Sequence, residues 1–451
     1  MRIIDGGDDR AIAALLDRSP ARDPEIERRV AGIVADVRLN GDAALMKYAR
    51  QFDGLDRAIE VTPEEMQQAA RTVAPDVRRA IQTAARNILH VARRQLPRGW
   101  KTSPVPGVAI EQRVTPLDRV GCYVPGGRYP LPSSLLMTAV PAIAAGVSEI
   151  IAVCPKPDAT VMAAAEASRE VRGIRLFRIG GAHAVAALAY GTATIPRVDK
   201  IVGPGSAYVA AAKALVSADC AIDFYAGPSE ILIVSERGRA DWLAADLIAQ
   251  AEHDEDARAI LVTPRRSLAR EVTREIERQM PGSGPAAAAL ANNGAIVVTG
   301  TLDAAVALSE RMAPEHVVCD SPAVARRLRR AGTVFVGSWS AQASGDYITG
   351  SNHVLPTSGA AAARGGLSAA DYVRVSTVQR LTRRGFRAIA GAAVALAEAE
   401  GLRAHAESIR VRLAGSHTGT RTVATIVDAN ERQRVSHAHG ARRRSGARER
   451  V

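Results

Sequence analysis

The N-terminal hundred residues show the spacing of apolar positions that predicts helices. Between residues 76 and 95 the apolar side chains recur every three or four positions and so share one side of a helix. They are Val77, Ala80, Ile81, Ala84, Ile88 and Val91. Two earlier helices are predicted to begin at Asp23-Pro24 and Thr62-Pro63, because a capping side chain followed by proline is typical of a helix start.

From about residue 120, short apolar runs alternate with alanine-rich helical stretches. The runs are EIIAVCP, IRLFRIGG, DKIVGPG, EILIVS, AILVT, AIVVTG and TVFVG. This alternation is typical of parallel sheets built from βαβ units, and the runs suffice for two such sheets. Residues 337–370 are too polar and glycine-rich for a packed element, so they predict a long loop of the kind that is usually functional. Helices return over 382–400 and end at Gly401.

Composition excludes membrane and disulfide-framework classes. The chain has 451 residues, of which 47% are hydrophobic, and its most continuous apolar stretch, 135–147, is too short to span a bilayer. Acidic Asp5, Asp8 and Asp9 argue against a signal peptide. The four cysteines are scattered among apolar neighbours, which predicts buried small side chains and a reducing cytoplasm. They are Cys122, Cys154, Cys220 and Cys319.

Part of the net charge of +12 belongs to a basic C-terminal tail, which contributes +5. Residues 431–450 contain seven arginines against two glutamates, in a stretch almost without large apolar groups. Such a composition predicts a disordered tail. It lacks the aromatic residues that stack on bases, so we expect no nucleic-acid partner.

Two glycine turns each follow a predicted strand and precede a helix. Gly180-Gly181 and Gly203-Pro204-Gly205 could let backbone N–H groups approach a phosphate. A GxGxxG dinucleotide fingerprint is absent. On its own this signal is weak, and glycine serving a tight turn is the simpler explanation of both motifs.

Four groups of polar residues could carry chemistry. Gln250 and His253 share a helix face, Glu315 and His316 follow Pro314, Asp346 and His353 lie in the long loop, and Glu400 and His405 flank a helix end. A carboxylate beside an imidazole is suited to proton transfer near neutral pH. The nitrogen and oxygen atoms of Gln250, His253, Asp346 and His405 would suit one borderline metal ion. Each group can also be read as exposed or capping residues, and spacing alone does not bring them together.

Seven motifs occur in the order that is typical of the histidinol dehydrogenase family. They are GCYVPGGRYPLPSS, DKIVGPG, DFYAGPSE, AQAEHD, RMAPEH, GDYITGSNHVLPTSG and EAEGLRAHAESI. The chain resembles this family from about residue 10 to residue 413. The family comprises zinc-dependent, NAD-linked enzymes that oxidise L-histidinol through histidinaldehyde to L-histidine.

The resemblance implies a role for each candidate. Zinc would be held by Gln250, His253, Asp346 and His405, and would bind the imidazole and amine of the substrate. His316 would take the alcohol proton while hydride leaves for NAD, and Glu315 would activate the water that attacks the aldehyde. The implied substrate contacts are Ser229, Gln250, His253, His316, Asp346, Glu400 and His405.

On the cofactor side the chain departs from the family pattern. Tyr123 matches a family NAD contact, but His183 stands where the family usually has Gln, and Ser206 where it usually has Asn. Serine reaches less far than asparagine and has fewer donors. We therefore expect weaker NAD binding than the family residues would give.

The resemblance also implies an α/β fold with two incomplete Rossmann-like parallel-sheet domains, small helical regions and a swapped C-terminal tail. The implied boundaries are 24–115 with 228–367 for the metal and catalytic domain, 116–227 for the NAD side, 1–23 with 368–388 for a helical dimerisation region, 389–413 for the swapped segment and 414–451 for a basic extension.

A homodimer with shared active sites is expected. Glu400 and His405 lie in a terminal segment too short to fold alone, and the resemblance implies that this segment reaches the partner's zinc. The nearest alternative function is that of a sister dehydrogenase with the same architecture, acting on another polar primary alcohol.

Overall fold

The computed structural model describes residues 1–17, 23–126, 129–169, 173–225 and 227–415, which fall into two units. The first unit comprises Met1–Arg98 and Val114–Val375, and the second comprises Gly99–Arg113 and the residues from Ser376 on. Most of the predicted basic extension, from residue 416 onward, lies outside the described residues. None of the helices in the described ranges is long and apolar enough to cross a bilayer.

The two helices predicted at Asp23-Pro24 and Thr62-Pro63 begin there, each with a side-chain cap. The Asp23 carboxylate accepts the Glu25 N–H at 2.8 Å, and Thr62 forms a reciprocal capping box with Glu65. The helices are α1 (Asp9–Leu16), α2 (Pro24–Asn40), α3 (Asp42–Tyr48), α4 (Pro63–Thr72), α5 (Pro75–Gln95), α6 (Pro132–Ala145), α7 (Ala159–Arg169), α8 (Gly181–Tyr190), α9 (Ala207–Val216), α10 (Ala240–Ala251), α11 (Arg266–Gln279), α12 (Ala286–Asn292), α13 (Leu302–Met312), α14 (Pro322–Ala325), α15 (Gln342–Tyr347), α16 (Arg383–Ala399) and α17 (Arg403–Ala414).

The predicted apolar runs form strands, and several further strands accompany them. The strands are β1 (Arg2–Asp5), β2 (Glu60–Val61), β3 (Trp100–Val105), β4 (Val108–Pro116), β5 (Arg119–Tyr123), β6 (Glu149–Val153), β7 (Ile174–Phe177), β8 (Lys200–Val202), β9 (Ala221–Ile222), β10 (Glu230–Val234), β11 (Arg258–Thr263), β12 (Ala295–Val298), β13 (His316–Cys319), β14 (Thr333–Val336) and β15 (Val373–Leu381).

In the described part of the chain, two six-stranded sheets carry the fold, which confirms the predicted α/β class. Sheet I has the order β1-β12-β11-β10-β13-β14 and is parallel throughout. Sheet II has the order β2-β7-β6-β5-β8-β9, in which only β2 is antiparallel to its neighbour. Apart from the edge strands β1 and β2, both sheets follow the order third, second, first, fourth, fifth along the chain. This is the order of a doubly wound Rossmann-like sheet.

Helices cover both faces of sheet II because successive side chains of a strand point to opposite faces. Ile150 and Ala152 of β6 pack in the apolar cluster formed with α5, α6 and α7. Ile151 and Val153, the alternating residues of the same strand, pack in the cluster formed with α2, α8 and α9. Burial on both faces accounts for the uninterrupted apolar character of the strand.

The residues that precede β5 do not pack as the expected domain boundaries imply. We expected 24–115 to share a domain with 228–367, but α2 packs on α8 and α9, and β2 pairs with β7 of sheet II. The expected helical dimerisation region also contains strands, since β1 pairs with β12 of sheet I and β15 occupies 373–381. Apolar periodicity indicates a buried helix face but not which sheet that face covers, so these assignments needed the structure.

One local expectation is also corrected, and one sheet was not predicted. The polar segment 337–370 contains a short helix, α15, together with 3-10 turns at Ala360–Ala362 and Ala369–Tyr372. The region around residue 100 forms a third sheet with the order β15-β4-β3, in which β3 and β4 are antiparallel. Its strands are mostly exposed, so they lack the apolar runs by which the buried strands are recognised.

Candidate active site

The predicted catalytic pair lies at the amino ends of the central strands of sheet I. His316 is the first residue of β13 and stands opposite Ile231 of β10, while Glu315 immediately precedes β13. Ser229, a predicted substrate contact, precedes β10 in the same way. Helix α10 connects β10 to β11 and runs back across the sheet, so its end, which carries Gln250, returns to this edge. The fold therefore gathers residues that are far apart in sequence.

His316 is held in one tautomer by the main chain. Its Nδ1 lies 3.0 Å from the carbonyl oxygen of Glu230, which can only accept a hydrogen bond, so Nδ1 carries a proton. Its Nε2 faces the Asp346 carboxylate, 3.8 Å from Oδ1. Burial alone would lower the pKa of His316, but the neighbouring carboxylates of Glu315 and Asp346 outweigh it and raise the pKa to about 9. Nε2 is thus the nitrogen available to exchange a proton with a ligand.

Glu315 is fixed by the same backbone segment. Its Oε2 accepts the main-chain N–H of Glu230 at 2.7 Å and lies 3.5 Å from Nδ1 of His316. Both side chains are almost fully buried, at 5% and 3% exposure. The two main-chain groups of Glu230 therefore orient the carboxylate and the imidazole together.

Three of the four predicted metal ligands belong to the first unit. Nε2 of His253 lies 3.9 Å from Oδ2 of Asp346. Gln250 is completely buried, and both polar atoms of its amide lack a hydrogen-bond partner within the described part of the chain. Buried polar atoms are rarely left without partners, so an unpartnered amide at this place fits the chemistry of a ligand-binding residue.

Gln250, His253 and Asp346 offer nitrogen and oxygen ligands for a metal ion, but they form an incomplete ligand set without a fourth residue. Among the described residues, no three His, Cys, Asp or Glu side chains are arranged to hold a metal. Glu400 and His405, the remaining substrate and metal candidates, are exposed residues of the second unit, at the end of α16 and in α17. The donor types of the set, imidazole, carboxylate and amide, suit zinc if the amide joins them and a fourth ligand is supplied.

Two hydrogen bonds to Asp346 were not predicted from the sequence. Gln342 donates a hydrogen bond from Nε2 to Oδ2 of Asp346 at 2.8 Å. His353 donates from Nδ1 to the main-chain oxygen of Asp346 at 2.8 Å, and burial lowers the pKa of this histidine. Gln342 lies four residues before Asp346, and this spacing brings two side chains together only within a helix. Because the segment was expected to be loop, the spacing did not indicate the contact.

The predicted cofactor residues lie at the glycine turns of sheet II. Tyr123 ends β5, and its hydroxyl accepts the Gly181 N–H at 2.9 Å, while burial raises its pKa to about 12. His183 is buried with Nε2 2.8 Å from Asp53 Oδ2, the oxygen that also accepts the Gly180 N–H. Ser206, just before α9, is exposed. Of the three residues, Ser206 is the one that a ligand can reach directly.

The N–H groups of Gly180, Gly181 and Gly203 in the glycine turns donate to side chains of the same chain. The Gly203 N–H donates to Asp223 Oδ2 at 2.7 Å, and Asp223 also pairs with the buried Lys213. A Cβ at Gly203 would collide with the carbonyl oxygen of Tyr123, so glycine is required where β8 ends beside β5. Strand order reverses between these two strands, which is where doubly wound sheets bind nucleotides. The hydrogen bonds favour the tight-turn interpretation of these glycines, whereas the topology suits a dinucleotide nearby.

All four cysteines are free and buried, as predicted for small apolar side chains. Burial is the main cause that raises the pKa of each thiol, to about 12 for Cys122 and Cys154 and about 11 for Cys220. None of them takes part in the candidate site.

Comparison with known proteins decides the family. The profile of the histidinol dehydrogenase family matches residues 16–413. The chain belongs to the histidinol dehydrogenase family. Proteins named histidinol dehydrogenase from Geobacter sulfurreducens and Methanothermobacter thermautotrophicus are 42% and 44% identical to it. The matches cover 92% and 90% of this chain and 100% and 98% of the two relatives.

A solved structure agrees with the family assignment. The histidinol dehydrogenase of Elizabethkingia anophelis superposes with a TM-score of 0.87 at 29% identity, covering 93% of this chain and 99% of that one. The predictions that the chain is an enzyme of this family and has its α/β fold are confirmed.

Proposed function

We propose that this chain oxidises L-histidinol through L-histidinaldehyde to L-histidine, with one zinc ion and NAD as hydride acceptor. The observation that carries the proposal is the buried Glu315–His316 pair, oriented by Glu230 beside Asp346 and His253. A four-electron oxidation needs one base for the alcohol and one for the water that adds to the aldehyde. This pair supplies an imidazole and a carboxylate at one place.

His316 is the base for the alcohol. With Nδ1 occupied by the Glu230 carbonyl, Nε2 is the atom that takes the hydroxyl proton. The charges of Glu315 and Asp346 raise the pKa of the ring to about 9, and a cation bound by Asp346 would lower it again and so favour the neutral imidazole that acts as base. Removal of this proton prepares the alcohol carbon to release hydride, and NAD, when bound, would supply the hydride acceptor.

Glu315 is the base for water. Its Oε2 is held by the Glu230 N–H, which leaves Oε1 as the atom that can accept a proton from water attacking the aldehyde. The resulting hydrate loses a second hydride and becomes the carboxylate product. Zinc, when bound by Gln250, His253 and Asp346 with His405, would orient the substrate and act as a Lewis acid. Ser229 and Glu400 are proposed as further substrate contacts.

Two further properties complete the proposal. A homodimer would let His405 and Glu400 of one protomer reach the site of its partner, and exposed Leu396, Leu402 and Val411 give the second unit apolar surface for such a contact. The four free thiols accord with a cytoplasmic location.

The direct test measures kcat/KM with L-histidinol and with other amino and sulfonated primary alcohols. We expect histidinol to be preferred by about 100-fold or more, because a site that binds the imidazole leaves polar groups unpaired with other alcohols. Two NADH should form for each histidinol consumed. A higher kcat/KM with an alcohol that lacks the imidazole would favour a sister dehydrogenase instead.

A further inference from the structure

Gln342 and Asp346 lie one turn apart on the same face of α15. The Gln342 amide donates from Nε2 to Oδ2 of Asp346 at 2.8 Å, and both side chains are buried, at 1% and 7% exposure. A carboxylate can only accept, so the amide nitrogen must be the atom that faces it. A buried amide-to-carboxylate hydrogen bond is among the stronger side-chain contacts.

This hydrogen bond decides which oxygen of Asp346 faces which neighbour. Oδ2, the oxygen held by Gln342, is the one that lies 3.9 Å from Nε2 of His253. Oδ1 is thereby turned toward Nε2 of His316, at 3.8 Å. Without the amide, the carboxylate could rotate about its Cβ–Cγ bond and exchange the two oxygens. The hydrogen bond from Gln342 thus keeps Oδ2 of Asp346 toward the metal candidate His253 and Oδ1 toward the base His316.

The helix that carries both residues is itself held close to sheet I. A Cβ at Gly345 would lie 2.6 Å from the Phe335 ring of β14, so only glycine allows α15 to approach this closely. The His353 side chain holds the main-chain oxygen of Asp346. The backbone of Asp346 is therefore fixed independently of Gln342, and the amide is left to set the orientation of the carboxylate.

We propose that Gln342 is a positioning residue of the zinc site, which orients Asp346 for the metal without touching metal or substrate. This inference rests on the proposed function, because it takes Asp346 as a zinc ligand. Hydrogen-bond partners of metal ligands typically contribute about 10–100-fold in metal affinity.

The test compares zinc dissociation constants by chelator competition in full-length protein. Gln342→Met keeps the length of the side chain and removes the donor, and we expect it to weaken zinc binding by about 10–100-fold. Activity at saturating zinc should fall much less than zinc affinity. Cobalt substitution should show altered d–d absorption bands, since the ligand geometry changes. The matched control is Ser344→Ala, which removes a hydroxyl that donates to the Ala341 carbonyl just before α15.

Gln342→Asn serves if the methionine variant does not fold, because it retains an amide that is one methylene too short to reach Asp346. Unchanged zinc affinity and cobalt spectrum in the folded variant would overturn the positioning role. Equal loss of zinc in Ser344→Ala would also overturn it, since it would show a general effect on α15. Failure of the proposed function gives a different result, in which Asp346→Asn and the unsubstituted chain bind zinc equally weakly.

Discussion

The main-chain carbonyl of Glu230 accepts the Nδ1 proton of His316 at 3.0 Å, and the N–H of the same residue holds Glu315 at 2.7 Å. One residue of β10 thus fixes both members of the proposed base pair on the neighbouring strand. Both contacts are made by backbone groups of Glu230. Orientation of this kind is established before substrate binds.

Glu315→Gln should separate the two half-reactions. Glutamine keeps the shape and can still accept the Glu230 N–H, but it cannot take a proton from water. We expect oxidation of histidinaldehyde to slow by about 10²–10⁴-fold, with a smaller effect on oxidation of histidinol to the aldehyde. Single-turnover rates measured separately with histidinol and with histidinaldehyde test this difference. Equal slowing of both steps would remove the division of labour between Glu315 and His316.

His253→Ala should lose zinc and activity together. The ring nitrogen lies 3.9 Å from Asp346, the other metal candidate beside it. Metal analysis of the dialysed protein should give about one zinc per chain before the substitution and a small fraction of that after it. His90→Ala is the control, because His90 is exposed on α5, where its ring pairs with Arg94 of the same helix. Full zinc retention in His253→Ala would contradict the ligand assignment.

The double substitution His183→Gln with Ser206→Asn should lower the KM for NAD. The structure refines this expectation, because Ser206 is exposed whereas His183 is buried against Asp53. Most of the change should therefore come from Ser206→Asn. His183→Ala should instead destabilise the fold by about 1–3 kcal/mol, since it leaves the Asp53 carboxylate with one donor fewer. An unchanged KM in the double variant would show that neither position contacts the cofactor.

Helix caps and apolar runs, which involve only neighbouring residues, predicted most of the fold. Pairings between segments that are distant in sequence could not be predicted in this way. The start of α2 at Pro24 and the strand Glu149–Val153 follow from adjacent residues, through a cap and an apolar run. Strand β1 could not be recognised in this way, because Arg2 pairs with Ala295. Its few residues show no run or alternation that distinguishes them from a loop.

The same limit applies to the candidate site. The residue types at 315 and 316 suggested proton transfer, but Glu230 holds Glu315 across 85 residues of sequence, and no local pattern indicates that contact. The missed role of Gln342 has a different cause, since α15 is short and polar and was expected to be loop. Its burial comes from the surrounding packing rather than from its own periodicity.

Raising the pH above about 9 should destabilise the protein through its buried thiols. In the unfolded chain a cysteine loses its proton near pH 9, but burial keeps Cys122 protonated until about pH 12. Above pH 9 the folded state binds more protons than the unfolded state, so the free energy of unfolding falls as pH rises. The slope approaches about 1.4 kcal/mol per pH unit for each such thiol.

Denaturant unfolding at pH 8 and pH 10 measures this effect, with Cys122→Ala as the control that removes one titrating group. The variant should lose less stability between the two pH values than the unsubstituted chain. The same burial should keep a thiol reagent from reacting at pH 8 until denaturant is added. Rapid labelling of the folded protein would contradict the predicted inertness.

Mixing two inactive variants should restore activity if the active site is shared between protomers. His316→Ala damages the first unit and His405→Ala damages the second, so each homodimer is inactive. In a mixed dimer with shared sites, one site carries both lesions and the other carries neither. Random exchange at equal concentrations should then recover about a quarter of the unsubstituted activity, because half of the dimers are mixed and each has one intact site. If each site is built within one chain, every site keeps a lesion, so exchange verified by mass spectrometry without recovered activity would rule out the shared site.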